Sequence, residues 1–358
     1  MGHASGSSFF PGKTAVETFY IISGFYMSLI LNEKYLKKKN SYKLFITNRF
    51  LRLFPSYWVV LLITITFSLV IYHVTDHRNG ASLSAYFSYS KNLDFASFAF
   101  LTFTNICVFF QDMVCFLGLD KHSGALYFNS NFYSSDPPLY TFLIIAPAWT
   151  IGLELTYYLI APFIVKRALY IVLILMALSL ITRVVLIKMG LSHDPWNYRF
   201  FPNEILFFLM GNISYRIYVF IKKRLGELNY SPFILKTIFF VVVLFTVFYN
   251  LTLSHVEPKY IELLYFTLFF CALPFIFLLT KKSKLDRFIG ELSYPIYISH
   301  MLMIQVCKYL NVPQGIAMDA AVAILSVLFA VLINKLLNDR IEQYRQKRVS
   351  AEKTVVSG

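Results

Sequence analysis

The chain has 358 residues, of which 57% are hydrophobic and only 15% charged. That balance excludes a soluble domain carrying one apolar helix and points to a polytopic membrane protein. The net charge is +14, but the basic residues stand in short clusters between apolar runs, which excludes nucleic-acid binding as a function class. The cysteines Cys107, Cys115, Cys271 and Cys307 lie in apolar stretches with no C-x-x-C or metal spacing, so buried thiols and no metal are expected.

In chain order, runs long enough to cross a bilayer recur at about 14–31, 54–75, 141–165, 168–187, 201–220, 233–253, 260–280, 289–310 and 317–337. The segment 93–118 is also apolar but is interrupted by Asn105, Gln111 and Asp112, which predicts a re-entrant or interfacial stretch. The expected fold is an all-α, polytopic transmembrane bundle of about nine spans over residues 1–338. A polar cytoplasmic tail, 339–358, follows: the end of a helix and then disorder. With the first run ending in the cytoplasm, 24 of the 33 lysines and arginines fall inside and seven outside, the bias expected of an inner (plasma) membrane protein. The same count puts the C-terminus in the cytoplasm and residue 1 outside. No cleavable signal peptide is visible, so a helix preceding this chain is expected to be missing.

The polar residues of these runs supply the candidate site. His3 precedes the first run; its plain reading is a terminal residue without a role, its sharper one a general base near neutral pH. Glycines at 6 and 12 before Lys13 and Thr14 imitate a phosphate loop, but five residues separate them where the motif needs four. Glu17 stands at the outer end of the first run, and Ser23-Gly24 at its middle, where small residues let helices approach closely. Arg49 and Arg52 share a helix face just inside the membrane. This double fork suits either anionic lipid head groups or a phosphate-bearing cytosolic donor. Glu154 is the only charge in Leu139–Val165, and an ionised acid at that depth costs ~3 kcal/mol, so it is held there by a partner, a proton or a wet cavity. Tyr158, four residues on, shares its face and can bond it; Trp149 lies one turn before. His300 closes the segment Leu292–His300, where a tyrosine or serine of a neighbouring helix could satisfy it without any catalytic role.

Five segments in order, AVETFYIISGF, RFLRLFPSYW, WTIGLELTYYLIAPF, FFPNEILFFLMG and LSYPIYISH, resemble the acyltransferase-3 family of membrane-bound O-acyltransferases. The resemblance covers residues 3–300. It implies a ten-or-so-helix bundle that moves an acyl group, commonly acetyl from acetyl-CoA, onto a hydroxyl of a sugar, often in a polysaccharide, lipopolysaccharide or peptidoglycan. By the same resemblance His3 takes the place of the catalytic histidine, Glu17 that of the acidic residue, Arg49 and Arg52 that of the cytoplasmic basic pair, and Trp149 and Glu154 those of the family's Trp and Glu. Two departures stand out: Thr150 replaces the usual serine, and the helix before His3, with its basic residue, is absent.

The mechanism this implies has acetyl-CoA phosphates on Arg49 and Arg52 and His3 deprotonating a glycan or glycolipid acceptor. Glu17 would orient the imidazole, and Ser23, Trp149 or Tyr158 would supply donors to the oxyanion. The topology sets His3 and the arginines at opposite faces, which requires either a donor arm threading the bundle or a covalent relay. A transporter or flippase using Glu154, Arg183 and His300 as its path is the alternative, although no inverted repeat is visible. The other membrane-bound O-acyltransferase fold, hinted at only by His300, is a third.

Overall fold

A computed structural model describes residues 10–76, 79–225, 231–253 and 257–352. Helix α1 (Gly12–Ile30) continues through a π turn, Leu31–Tyr35, and the chain reverses into α2 (Ser41–Val74). Short α3 (Ser84–Tyr89) and α4 (Phe95–Cys107) lead to a ribbon, β1 (Leu117–Leu119) antiparallel to β2 (Leu126–Phe128), with Gly118 opposite Tyr127. The rest is helical: α5 (Trp149–Ile164), α6 (Leu169–Lys188), α7 (Phe201–Leu225), α8 (Pro232–Val247), α9 (Tyr249–Leu253), α10 (Pro258–Thr280), α11 (Lys284–Tyr309), α12 (Ile316–Ile333), a π turn Asn334–Asn338, and α13 (Asp339–Ala351).

Six of these helices are long and apolar enough to cross a membrane: α1, α2, α6, α7, α10 and the continuous α12–α13 rod. The expectation of about nine spans is thus met only in part. The run 233–253 breaks at Phe248 into α8 and α9. Helix α11 is long enough, but Asp286, Arg287, Glu291 and Lys308 lower its hydropathy. The run 141–165 is α-helical only from Trp149, after two short 3-10 turns, because Pro138 and Pro147 bias the residues before them away from the α region and lack an N–H to give. Sixteen residues of α5 reach about 24 Å, short of the ~30 Å hydrocarbon core.

Asn105 holds the non-helical stretch before α5. Its amide nitrogen donates to Phe142 O, and its Oδ1 accepts from Ile144 N–H at 2.8 Å. One of the three residues that interrupt the apolar run 93–118 is therefore the peg that replaces lost helical hydrogen bonds. Helix α4, thirteen residues long, is too short to span. The chain turns away after it through left-handed Val108 (φ 65°) and Phe110 (φ 66°). Tyr57 and Trp58 of α2 donate to the carbonyls of Asn105 and Ile106, tying this segment to the bundle.

At the centre, α1 lies backbone against backbone on α7. A Cβ on Gly24 would stand 2.0 Å from Phe208 O, and one on Gly211 would stand 2.1 Å from Ile21 O, so both positions require glycine. By contrast, α6 turns Leu173, Ile174, Leu178, Ile181 and Val184 outward, the inverted surface expected where lipid is the solvent. Helix α13, within the segment expected as a helix end followed by disorder, packs against α2, with Arg348 bonded to Thr47 and Asn48.

Candidate functional site

Helix α1 carries the thread of the site. Glu17, Tyr20 and Ser23 recur at three-residue spacing, so they share a face, and that face looks into the bundle. Glu17 and Ser23 are about 9 Å apart along the axis. Thr18 and Ser28 bond carbonyls of their own helix, which leaves the thread to these three.

Glu154 of α5 meets this face halfway. It is buried, and its Oε1 accepts from Ser23 Oγ at 2.6 Å and from the Tyr158 hydroxyl. Tyr158 is the partner that the helix spacing predicted; Ser23, read in the sequence as a small residue for close packing, is a second donor that the tertiary structure brings. Ser23 and Gly24 divide the work between them: Gly24 lets α7 close in, and Ser23 turns the other way to the acid. Gly152, two residues before Glu154, faces Val108 O at 3.0 Å from an added Cβ, so the turn after α4 packs directly against α5.

Toward the start of α1, Glu17 and Glu204 of α7 are both fully buried and share one guanidinium. Arg183 Nη2 lies 3.0 Å from Glu204 Oε1 and 3.6 Å from Glu17 Oε1. Neither oxygen of Glu17 has a hydrogen-bond partner among the described residues, and Glu204 Oε2 has none either. Two acids on one cation leave a negative charge, or a proton, to be accommodated. Lys13, whose charge also bears on both acids, is itself paired with Glu262 at 3.1 Å. Glu204 is a member that the sequence reading missed, although it sits in FFPNEILFFLMG; Arg183 was weighed only as part of a transport path. The available signal was a second acid and a basic residue at similar depth on neighbouring spans.

Between the two acidic stations lies a stack of three rings: Phe208 of α7 faces Tyr20 at 4.6 Å and Tyr157 at 4.3 Å. The hydroxyls of Tyr20 and Tyr157 are buried without hydrogen-bond partners among the described residues. A buried, unpaired hydroxyl costs ~1–3 kcal/mol, so such a pair marks a place where something else supplies the acceptor. Tyr20 lies within electrostatic reach of both Glu204 and Glu154, which links the stations.

At the other end of α1, Arg49 and Arg52 stand on α2 beside the π turn Leu31–Tyr35. Arg49 is buried, with its Nε unpartnered, and lies over the Phe45 ring at 5.8 Å; Arg52 is exposed. The charges of both reach Glu154 and Tyr158. Asn48 beside them donates to the Tyr35 hydroxyl at 3.1 Å.

The remaining expected residues fall elsewhere. Trp149 is not at Glu154: its ring lies 4.1 Å under the Arg199 guanidinium, which a two-pronged pair holds to Asp194. His300 Nδ1 is 2.7 Å from Tyr297 O, within its own helix, while the hydrogen bonds of Glu154 come from α1 and α5. Thr150 bonds the Tyr297 hydroxyl, tying α5 to α11. His3 lies outside the described residues.

Comparison with known proteins bears on this arrangement. The family model described as an acyltransferase domain, Acyl_transf_3, matches residues 1–335. An uncharacterized protein of Aquifex aeolicus (strain VF5) is 25% identical over 221 residues, which cover 59% of this chain and 93% of that protein. No solved structure matches.

Proposed function

This chain belongs to the acyltransferase-3 family, and we propose that it moves an acyl group, acetyl in the first instance, from acyl-CoA to a hydroxyl of a glycan or glycolipid. What supports the reading is a single seam of buried polar groups running the length of α1: Arg49 with an open Nε, Glu154 under Ser23 and Tyr158, two unpaired tyrosine hydroxyls, and Glu17 with both oxygens open. The basic end is taken as cytoplasmic by the distribution of lysine and arginine.

In this mechanism the donor phosphates dock on Arg49 and Arg52, and the acyl thioester enters along the seam. A base, assigned to His3 by the family resemblance, takes the acceptor's hydroxyl proton as its oxygen adds to the thioester carbonyl. By the same resemblance Glu17 is the acid that orients this imidazole or stabilises its charged form. The oxyanion accepts from Tyr20 or Tyr157, whose hydroxyls are free to donate. Collapse breaks the carbon–sulfur bond, and CoA thiolate leaves to take up a proton. Ser23 and Tyr158 serve as positioning residues for Glu154.

Purified protein carrying Arg49→Ala should bind acetyl-CoA about tenfold or more weakly, the effect of losing a charged hydrogen bond. Membranes holding the intact chain, given acetyl-CoA and a hydroxyl acceptor, should release CoA thiol, and Glu17→Gln should suppress that release. Unchanged binding in the arginine variant removes the phosphate clamp. No thiol release above empty membranes turns the reading toward transport through Glu17, Arg183 and Glu204.

A further inference from the structure

Beyond the stretch that the family model covers, α13 returns to the basic end of α2 and brings its own cations with it. Arg345 and Arg348 are three apart on α13 and so share a face, the one turned to α2. Arg348 is fully engaged: its two terminal nitrogens donate to Asn48 Oδ1 and Thr47 Oγ1, each at 2.8 Å. The far end of the helix is pinned as well. Lys38 Nζ donates to Glu352 O at 2.9 Å, and Asn40 Nδ2 to Glu352 Oε1 at 3.0 Å. The near end hangs on Asn338, whose Oδ1 accepts from Ser56 Oγ at 2.6 Å.

These anchors leave Arg345 in an unusual position. It is 6% exposed, it pairs with Glu342 of its own helix, and its Nε has no hydrogen-bond partner among the described residues. Arg49, 7% exposed, also has an unpartnered Nε. The charges of Arg49 and Arg52 bear on Arg345, and Glu342 is the acid that bears on it in return. The Tyr35 hydroxyl lies in the same corner. Three guanidiniums gathered here, with Glu342 paired to Arg345 and Glu154 within reach of Arg49 and Arg52, repel one another, and burial strengthens that repulsion. Such a gathering is favourable when an anion completes it, and guanidinium forks match phosphate oxygens best. Both π turns among the described residues, Leu31–Tyr35 and Asn334–Asn338, contact α2, a distortion often found at functional sites.

We propose that α13 is part of the donor site: Arg345 joins Arg49 and Arg52 as a third guanidinium that grips a phosphate group at the basic end of the bundle. This rests on the donor reading above and extends it to a segment that the sequence presents as a tail. The phosphate belongs to a soluble acyl donor or to an anionic lipid head group, and the two sources separate experimentally.

The test uses the full chain in zwitterionic nanodiscs, with CoA as the titrant in calorimetry. Arg345→Gln should weaken CoA binding about tenfold, and Glu342→Gln, which frees Arg345 from its helix partner, should tighten it severalfold. Arg345→Lys keeps the charge but loses the fork and should fall between wild type and Arg345→Gln. Melting without ligand shows that each variant is folded, and the tightening by Glu342→Gln is an effect that a damaged fold would not produce. If Arg49→Gln weakens binding while neither Arg345→Gln nor Glu342→Gln changes it, the third guanidinium is overturned and the donor reading stands. If the intact chain does not bind CoA, and anionic phospholipid co-purifies with it but not with Arg345→Gln, the phosphate grip holds with lipid as its occupant. If neither CoA nor anionic lipid depends on Arg345, the inference is wrong.

Discussion

Replacing Gly24 with alanine places a methyl carbon 2.0 Å from the carbonyl oxygen of Phe208, about 1 Å inside the 3.0 Å that real Cβ atoms keep. The obstructing atoms are backbone on both helices, so no rotamer relieves the clash and α1 must move off α7 by about that distance. Overpacking of this kind costs ~1–3 kcal/mol, and a gap of 1 Å along the seam forfeits a quarter to a half of each contact's dispersion well. Alanine's better helix propensity returns at most ~1 kcal/mol. Thermal melting in detergent should therefore show Gly24→Ala, and Gly211→Ala with it, clearly destabilised. Gly290→Ala is the control: it is exposed within α11, an added Cβ meets nothing within 4 Å, and only the propensity gain applies, so its melting temperature should hold or rise. If Gly24→Ala and Gly290→Ala shift the melting temperature alike, the backbone contact between α1 and α7 is not as described.

Tyr158→Phe removes one of the two donors to Glu154 Oε1 and should lower the rate of acyl transfer by about 10–100-fold, with Ser23→Ala similar and the double variant less than additive in a single-turnover thiol assay. Arg183→Met leaves Glu17 and Glu204 buried without their shared guanidinium and should destabilise the chain by ~3–5 kcal/mol in melting. Adding Glu17→Gln to that variant should recover part of the loss, and no recovery would refute the shared charge. Asn105→Ala frees Phe142 O and Ile144 N–H, so the stretch before α5 should become the first site of cleavage in limited proteolysis.

The chain's own pattern carried a good deal of this. Apolar length and charge clustering predicted a helical membrane bundle, and six helices meet that expectation. The spacing of Glu154 and Tyr158, four apart on one helix, gave their pairing directly, because a helix face is a local property. Contacts between elements had no such local sign: the ring of Trp149 lies under the guanidinium of Arg199, on a later segment.

What sequence alone determined, then, is what repeats along a helix or is summed over a span: that the chain is a helical membrane bundle, which residues are too polar for lipid, and that Tyr158 shares a face with Glu154. What only the tertiary structure decided is which spans touch. Ser23 reaches Glu154 from 131 positions away, Arg183 joins two acids on two other helices, and Arg348 returns across the chain to Asn48. The physical reason is that helix packing is set by the fit of two surfaces, down to the missing Cβ of Gly24 and Gly211, and such a fit has no period along the chain.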